Sequence, residues 1–162
     1  DGELDGGRLA RLMERAVGME VTLHRAFDMT RDPFAALEEA VRLGFGTILT
    51  SGQAGGAPEG KELLRELTAR AAGRIDIMAG AGVNRTNIRL LHEYAGVTSF
   101  HTSARRGAAD SGMRYRKKGV SMGLPSLSEY ELWQTDEEEF RACAQIVHSL
   151  TEYGDLGARR AK

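Results

Sequence analysis

Apolar residues follow two alternating patterns along the chain, short runs of β-forming residues and longer stretches with a helical period. The runs predict strands over residues 20–24, 45–51, 75–79 and 97–102. A helical stretch precedes the first run, and another separates each consecutive pair. Each stretch is followed by a glycine suited to a helix end: Gly18, Gly44, Gly73 and Gly96.

Strands that alternate with helices in this way pair in parallel, so the pattern predicts an α/β fold. A complete (β/α)8 TIM barrel takes roughly 250 residues. Four β/α units in 162 residues therefore predict a single domain over residues 1–162 that is half of such a barrel. A small doubly wound sheet is the alternative on pattern alone. Residues 104–126 are expected to form a polar, irregular loop, and a capping box of Thr135 and Glu138 predicts a last helix.

Composition narrows the classes of partner. Lys and Arg total 22 and Asp and Glu total 23, which gives a net charge of −1. This balance argues against nucleic-acid and membrane-surface binding, both of which need a basic excess. No apolar run approaches the roughly 20 residues of a membrane span. The single cysteine, Cys143, excludes an internal disulfide and favours a reducing, cytoplasmic setting.

Ionisable residues follow the first predicted strand. His24, Arg25 and Asp28 come directly after its apolar residues. Ligands of α/β folds sit at the carboxyl ends of parallel strands, so these three residues are candidate catalytic groups. The alternative is that Arg25 and Asp28 form a structural ion pair that closes the loop.

Glycines and hydroxyls follow the later strands, and they suggest an anion site. Gly80 and Gly82 lead into a helix with Asn84 as its expected cap, so backbone amides there could approach an anion. Ser103 and Arg105 follow the next strand. Two further ligand-binding candidates, Ser51 and Gly52, open the glycine-rich loop after the second strand. The alternative for the glycines is that they only permit tight turns.

Two of the four histidines, His24 and His101, lie at strand ends, whereas His92 and His148 fall within helical patterns. A buried strand-end histidine could act as a general base near neutral pH. If these strands are the first and last of a half barrel, the two rings flank a substrate across its mouth. The alternative is that each ring is hydrogen-bonded inside the barrel.

Five strand-end and loop motifs together resemble the CutC family, named for a role in copper homeostasis. They read VTLHRAFD at 21–28, LTSGQ at 49–53, IMAGAGV at 77–83, HTSA at 101–104 and MRYR at 113–116 with GVSM at 119–122. The resemblance covers nearly the whole chain. It implies strands five to eight of a TIM barrel, with the first four strands missing.

The resemblance also implies copper binding or trafficking in the cytoplasm, with the copper ligands mostly on the early strands, outside this chain. Cys143 cannot by itself form the thiolate set that Cu(I) prefers. The strand ends suggest a second class of function, an enzyme acting on a small phosphorylated or sugar-like anion. In either case a half barrel exposes sheet edges and an inner face, so a homo-oligomer is expected.

Overall fold

The computed structural model describes residues 1–117, 119 and 130–160, with the backbone alone at 106–109 and 151–160. The chain is a mixed α/β protein, and a short 3-10 helix over Arg25–Met29 follows the first strand. The helices and strands, in chain order, are α1 (Gly6–Arg15), β1 (Thr22–Leu23), α2 (Pro33–Leu43), β2 (Thr47–Thr50), α3 (Lys61–Ala71), β3 (Asp76–Ala79), α4 (Ile88–Ala95), β4 (Ser99–Phe100), β5 (Arg105–Asp110), β6 (Glu131–Thr135) and α5 (Glu137–Arg160). The four strands of the sheet are shorter than predicted but lie inside the predicted ranges.

Strands β1 to β4 form one parallel sheet in the order β1-β2-β3-β4. The prediction of a parallel sheet with a helix between successive strands is thereby confirmed. A doubly wound sheet reverses its strand order at a switch point. The sequential order observed here has no such reversal, so the doubly wound alternative is wrong.

The two faces of the sheet differ in burial. Ile48 and Ile77 are buried in the hydrophobic core with α2, α3 and α4 residues such as Leu37, Leu64 and Leu91. The residues that alternate with them, Thr47, Leu49, Asp76 and Met78, are only half-buried. The helices therefore cover one face of the sheet much more completely than the other.

The sequence predicts the N-cap of α2 correctly but not that of α4. Asp32 caps α2, since its Oδ1 accepts hydrogen bonds from the N–H groups of Phe34 and Ala35 at 2.9 and 3.0 Å. The expected cap Asn84 is wrong, because α4 starts later and its N-cap is Asn87. The side chain of Asn84 instead accepts a hydrogen bond from the Thr86 N–H at 2.9 Å.

The predicted capping box of α5 is also wrong. The cap is Asp136, whose Oδ1 accepts a hydrogen bond from the Glu139 N–H at 3.0 Å. Asp136 lies between the predicted pair in sequence, so the helix begins one residue later than the box requires.

The predicted irregular loop over residues 104–126 contains a strand. Strand β5 pairs antiparallel with β6. Just beyond this pair, the Asp136 N–H, after β6, donates to the Ala104 carbonyl, before β5, at 2.8 Å. Residues 118 and 120–126 of the predicted loop lie outside the described residues. Local pattern missed β5 because its sequence, RRGAAD, is poor in β-forming residues and its pairing partner lies far along the chain.

Candidate functional site

A buried carboxylate organises the carboxyl end of the sheet. The Asp28 side chain, which is 7% exposed, lies beside the loop that follows β2. It accepts hydrogen bonds from the Thr50 hydroxyl, from the Ser51 N–H at 3.1 Å and from the Gln53 N–H at 3.2 Å. Donors from the end of β2 and from the loop after it therefore surround one carboxylate, which fixes the path of that loop.

Arg25 joins this network from the 3-10 helix. Its Nε donates to Asp28 Oδ2 at 2.8 Å, and its Nη2 donates to Ser51 Oγ at 2.9 Å. The Ser51 Oγ also lies 2.7 Å from the Ala54 carbonyl oxygen. A guanidinium carries five N–H donors, so these contacts orient the group and leave donors unused. The Arg25 side chain remains 43% exposed.

The charge of Asp28 is set by two opposing effects. Burial alone would raise the pKa of this carboxyl group, but the hydrogen bonds from Thr50, Arg25 and Ser51 outweigh burial and hold the pKa below its ordinary value. Asp28 is therefore ionised at neutral pH and pairs with the Arg25 cation.

A polar cleft of about 480 Å³ opens beside Arg25. It lies where the chain leaves β3 and β4, at the carboxyl edge of the sheet. Six of the residues singled out in the sequence line it: Arg25, Gly82, Asn84, His101, Ser103 and Arg105. Arg105 forms no ion pair with any residue that the structure describes.

The loop from Gly80 to Asn84 is only partly available to an outside anion. The Gly80 N–H donates to the Thr50 carbonyl at 2.9 Å, and the Asn84 N–H donates to Asn87 Oδ1 at 3.0 Å. A carboxylate of the protein itself, Glu139 on α5, accepts the Arg85 N–H at 2.9 Å and the Arg85 guanidinium. These contacts pair the first and last amides of the loop, whereas the N–H groups of Ala81, Gly82 and Val83 have no hydrogen-bond partner among the described residues.

The two strand-end histidines lie in different places. His101 lines the polar cleft, and its backbone N–H donates to the Ala79 carbonyl at 2.8 Å. His24 instead lines a separate, largely apolar cavity of about 770 Å³ between α1 and β1. Its Nδ1 accepts the Ala26 N–H at 3.0 Å and so caps the 3-10 helix. Both histidines are exposed.

Gly52 has a packing role. It adopts a φ of +70°, and a Cβ atom placed on it would lie 2.2 Å from the Gly60 carbonyl oxygen. A Cβ on Gly60 would lie 1.9 Å from the Ser51 carbonyl oxygen. The two glycines let the ends of the loop over residues 52–60 touch, and this contact closes the loop that holds Asp28.

The single thiol does not resemble a metal ligand. Cys143 is buried on α5, and its Sγ lies 3.4 Å from Glu139 Oε1. Burial, together with the neighbouring Glu139 carboxylate, raises the pKa of the thiol to about 11, so it stays protonated at neutral pH. Within the described residues, no group of three or more His, Cys, Asp or Glu side chains could hold a metal ion.

Three contributors to the site were not singled out in the sequence: Thr50, Gln53 and Glu139. Thr50 and Gln53 belong to the LTSGQ motif, so that motif was the available signal. Glu139 meets Arg85 from 54 residues away, and no local pattern could have shown this pairing.

Among the residues that the structure describes, no helix is long and apolar enough to span a membrane.

Comparison with known proteins identifies relatives of the chain. The CutC family profile matches residues 1–106. A CutC family protein of Parabacteroides distasonis is 48% identical over 143 residues, which are 88% of this chain and 58% of that protein. The human copper homeostasis protein cutC homolog is 42% identical over 151 residues, which are 93% of this chain and 55% of that protein. The chain therefore spans little more than half the length of these relatives.

A solved structure supports the same relationship. The crystal structure of the CutC protein from Streptococcus agalactiae superposes with a TM-score of 0.59 at 28% identity, covering 62% of this chain and 50% of that one. The motif residues 120–122 lie outside the described residues, while the other motifs fall on the sheet, its strand ends and the segment after β5. The family profile alone covers most of the sequence. The chain belongs to the CutC family.

Proposed function

We propose that the chain takes part in copper homeostasis in the cytoplasm, as a CutC-like protein. The observation that carries this proposal is the family match over residues 1–106, together with human and mouse relatives named copper homeostasis protein cutC homolog. The test is expression of the chain in a bacterium whose own CutC protein has been deleted. Cell copper content and growth in raised copper should move toward the values of the parent strain. Unchanged values at confirmed expression would contradict the proposal.

Copper itself is proposed to bind mainly through residues outside this chain. The donor set supports this view, because the only thiol in the sequence is buried and stays protonated at neutral pH. Cu(I) prefers thiolate and thioether ligands. In the part of the chain that the structure describes, no group of three or more His, Cys, Asp or Glu side chains could hold a metal ion, and a role in copper homeostasis does not require a copper centre in this segment.

The domain is further proposed to be the second half of a TIM barrel, strands five to eight. The sequential parallel order of β1 to β4 and the coverage of 50% of the Streptococcus agalactiae chain support this assignment. The outer edges of β1 and β4 pair with no strand in the described part of the chain. The half-buried face that carries Leu49 and Met78 would then line the barrel interior.

A homo-oligomer is proposed as the means of covering the remaining apolar surface. Four large apolar side chains near β1 are exposed: Leu12 on α1 (64%), Val17 (84%) and Met19 (66%) between α1 and β1, and Met29 at the end of the 3-10 helix (82%). Parallel sheets are usually buried on both faces, and unpaired strand edges favour association.

We propose a second candidate function on the basis of the polar cleft: an enzyme site for a small phosphorylated or sugar-like anion. Arg25, His101 and Arg105 supply cationic and acid–base groups at the carboxyl ends of the strands, where α/β enzymes bind substrates. A thermal-shift screen of such anions tests it. Stabilisation should weaken in Arg105→Gln and at high salt, but persist unchanged in Arg11→Gln on α1. Equal shifts in both variants would remove Arg105 from the site.

A further inference from the structure

We infer that Arg25 is the anchor of the anion site and that the ligand group it takes is a phosphate monoester. The inference rests on the second proposed function, the anion site, and names its ligand class and its principal contact. It places recognition on a guanidinium held by buried side chains, instead of on the glycine loop that the sequence indicates.

The first step is the orientation of the guanidinium. Nε and Nη2 are held by Asp28 and Ser51 at 2.8 and 2.9 Å, and both of these partners are almost completely buried. Long cationic side chains normally lose rotamer entropy when they bind a ligand. Because two bonds already fix this guanidinium, its remaining N–H groups are preorganised at the wall of the cleft.

The second step compares Arg25 with the backbone amides around the glycine loop. Glu139 already occupies the Arg85 N–H, and Asn87 occupies the Asn84 N–H. These donors are therefore not open to a ligand unless α5 or α4 rearranges. Ala81, Gly82 and Val83 also line the cleft, and their N–H groups have no hydrogen-bond partner among the described residues. These amides are neutral, whereas Arg25 is both charged and fixed by two hydrogen bonds.

The third step is the number of donors. Arg105 and the Ser103 hydroxyl line the same cleft as Arg25, and Arg105 has no ion-pair partner among the described residues. A carboxylate presents two oxygens, whereas a phosphate monoester presents three terminal oxygens and up to two charges. Glu139 also lines the cleft, but its carboxylate is paired with Arg85. Two arginines and a hydroxyl therefore remain, and they match the larger, more highly charged group.

The Asp28 carboxylate acts through Arg25 in this arrangement and is a positioning residue. Its own oxygens are turned toward Thr50, Ser51 and Gln53, so it offers a ligand nothing directly. Removing its charge should weaken anion binding only because Arg25 loses its fixed orientation.

The experiment is calorimetric titration of the 162-residue chain with methyl phosphate, inorganic phosphate and acetate at low ionic strength. Arg25→Lys keeps the positive charge but removes the planar guanidinium with its fixed set of N–H donors. We therefore expect the Kd for methyl phosphate to rise about tenfold or more. The matched control is Arg31→Lys, an exposed arginine paired with Glu3 outside the cleft, where the Kd should not change. Acetate should bind at least tenfold more weakly than methyl phosphate.

A double-mutant cycle tests the role of Asp28. Asp28→Asn should raise the Kd for methyl phosphate in the wild-type background, but have no further effect when Arg25 is already Gln. An equal effect in both backgrounds would show a merely structural role for Asp28. If the wild-type chain and Arg25→Lys bind methyl phosphate with the same Kd, the role of Arg25 as the anchor is overturned while the anion site stands. No binding of either phosphate by the wild-type chain would overturn the anion site and the anchor together. Acetate binding as tight as that of methyl phosphate would overturn the assignment of a phosphate monoester.

Discussion

Replacing Asp28 with Asn should destabilise the chain strongly, because the substitution keeps the shape of the side chain but removes its charge. The carboxylate accepts hydrogen bonds from Thr50, Ser51, Gln53 and Arg25. An amide retains one acceptor oxygen and turns an NH2 group toward donors that then have no acceptor. Buried donors left unpaired are the main source of the expected loss.

The size of the loss follows from burial. Breaking a fully buried ion pair costs about 3–5 kcal/mol, but Arg25 is 43% exposed and can recover hydration. We therefore expect a loss of about 2–4 kcal/mol against a total stability of about 5–15 kcal/mol. For a chain of 162 residues this corresponds to a fall in Tm of roughly 4–16 °C.

The assay is urea denaturation followed by circular dichroism at one fixed protein concentration, since association would make stability concentration-dependent. Asp32→Asn is the matched control. It makes the same chemical change at an exposed helix cap, where Asn serves about as well as Asp. A loss in Asp28→Asn no larger than that in Asp32→Asn would refute the reasoning.

The effect should also depend on pH with a definite sign. The folded-state pKa of Asp28 is lowered, so its contribution is complete above the unfolded pKa of about 3.9 and is lost as pH falls through the folded pKa. The stability gap between wild type and Asp28→Asn should be constant from about pH 8 to pH 5 and should narrow below about pH 4. A gap that stays constant at low pH would show that the charge of Asp28 is not its cause.

Three further predictions follow from packing, from the thiol and from the exposed surface. Gly60→Ala should cost at least about 3 kcal/mol in urea denaturation because its Cβ would lie 1.9 Å from the Ser51 carbonyl oxygen, whereas Gly55→Ala, with open space around it, should be nearly neutral. Competition against a strong Cu(I) chelator should detect no tight site in this chain, and a tight site that survives Cys143→Ser would contradict this expectation. Sedimentation velocity at micromolar concentration should show a dimer or larger species, and a stable monomer would argue against the proposed oligomer.

Much of the fold could be predicted because it depends on local sequence. The Asp32–Pro33 pair and Gly44 mark the two ends of α2, and short β-forming runs mark the four parallel strands. Parallel strands share one carboxyl edge, so the region of the candidate site followed from the strand order. Six of the residues singled out in the sequence line one cleft there.

The contacts within the site could not be predicted, because they join residues that are distant in sequence. Asp28 meets Thr50 across 22 residues, and Arg85 meets Glu139 across 54. The position of His24 illustrates the same limit. Its place after β1 was clear from the sequence, but its neighbours in the apolar cavity come from α1, whose packing no spacing encodes.

Arg25 and Asp28 can be both a structural ion pair and part of a functional site, because their side chains differ in exposure. Asp28 is buried and closes the loop after β2, while Arg25 carries the same network out to the cleft. If Arg25 binds phosphate, the bound state stabilises the folded chain by linkage. Phosphate should then raise the Tm of wild type more than that of Asp28→Asn at the same phosphate concentration, because the variant holds Arg25 less firmly. An equal rise in both proteins would mean that phosphate binds independently of the buried network.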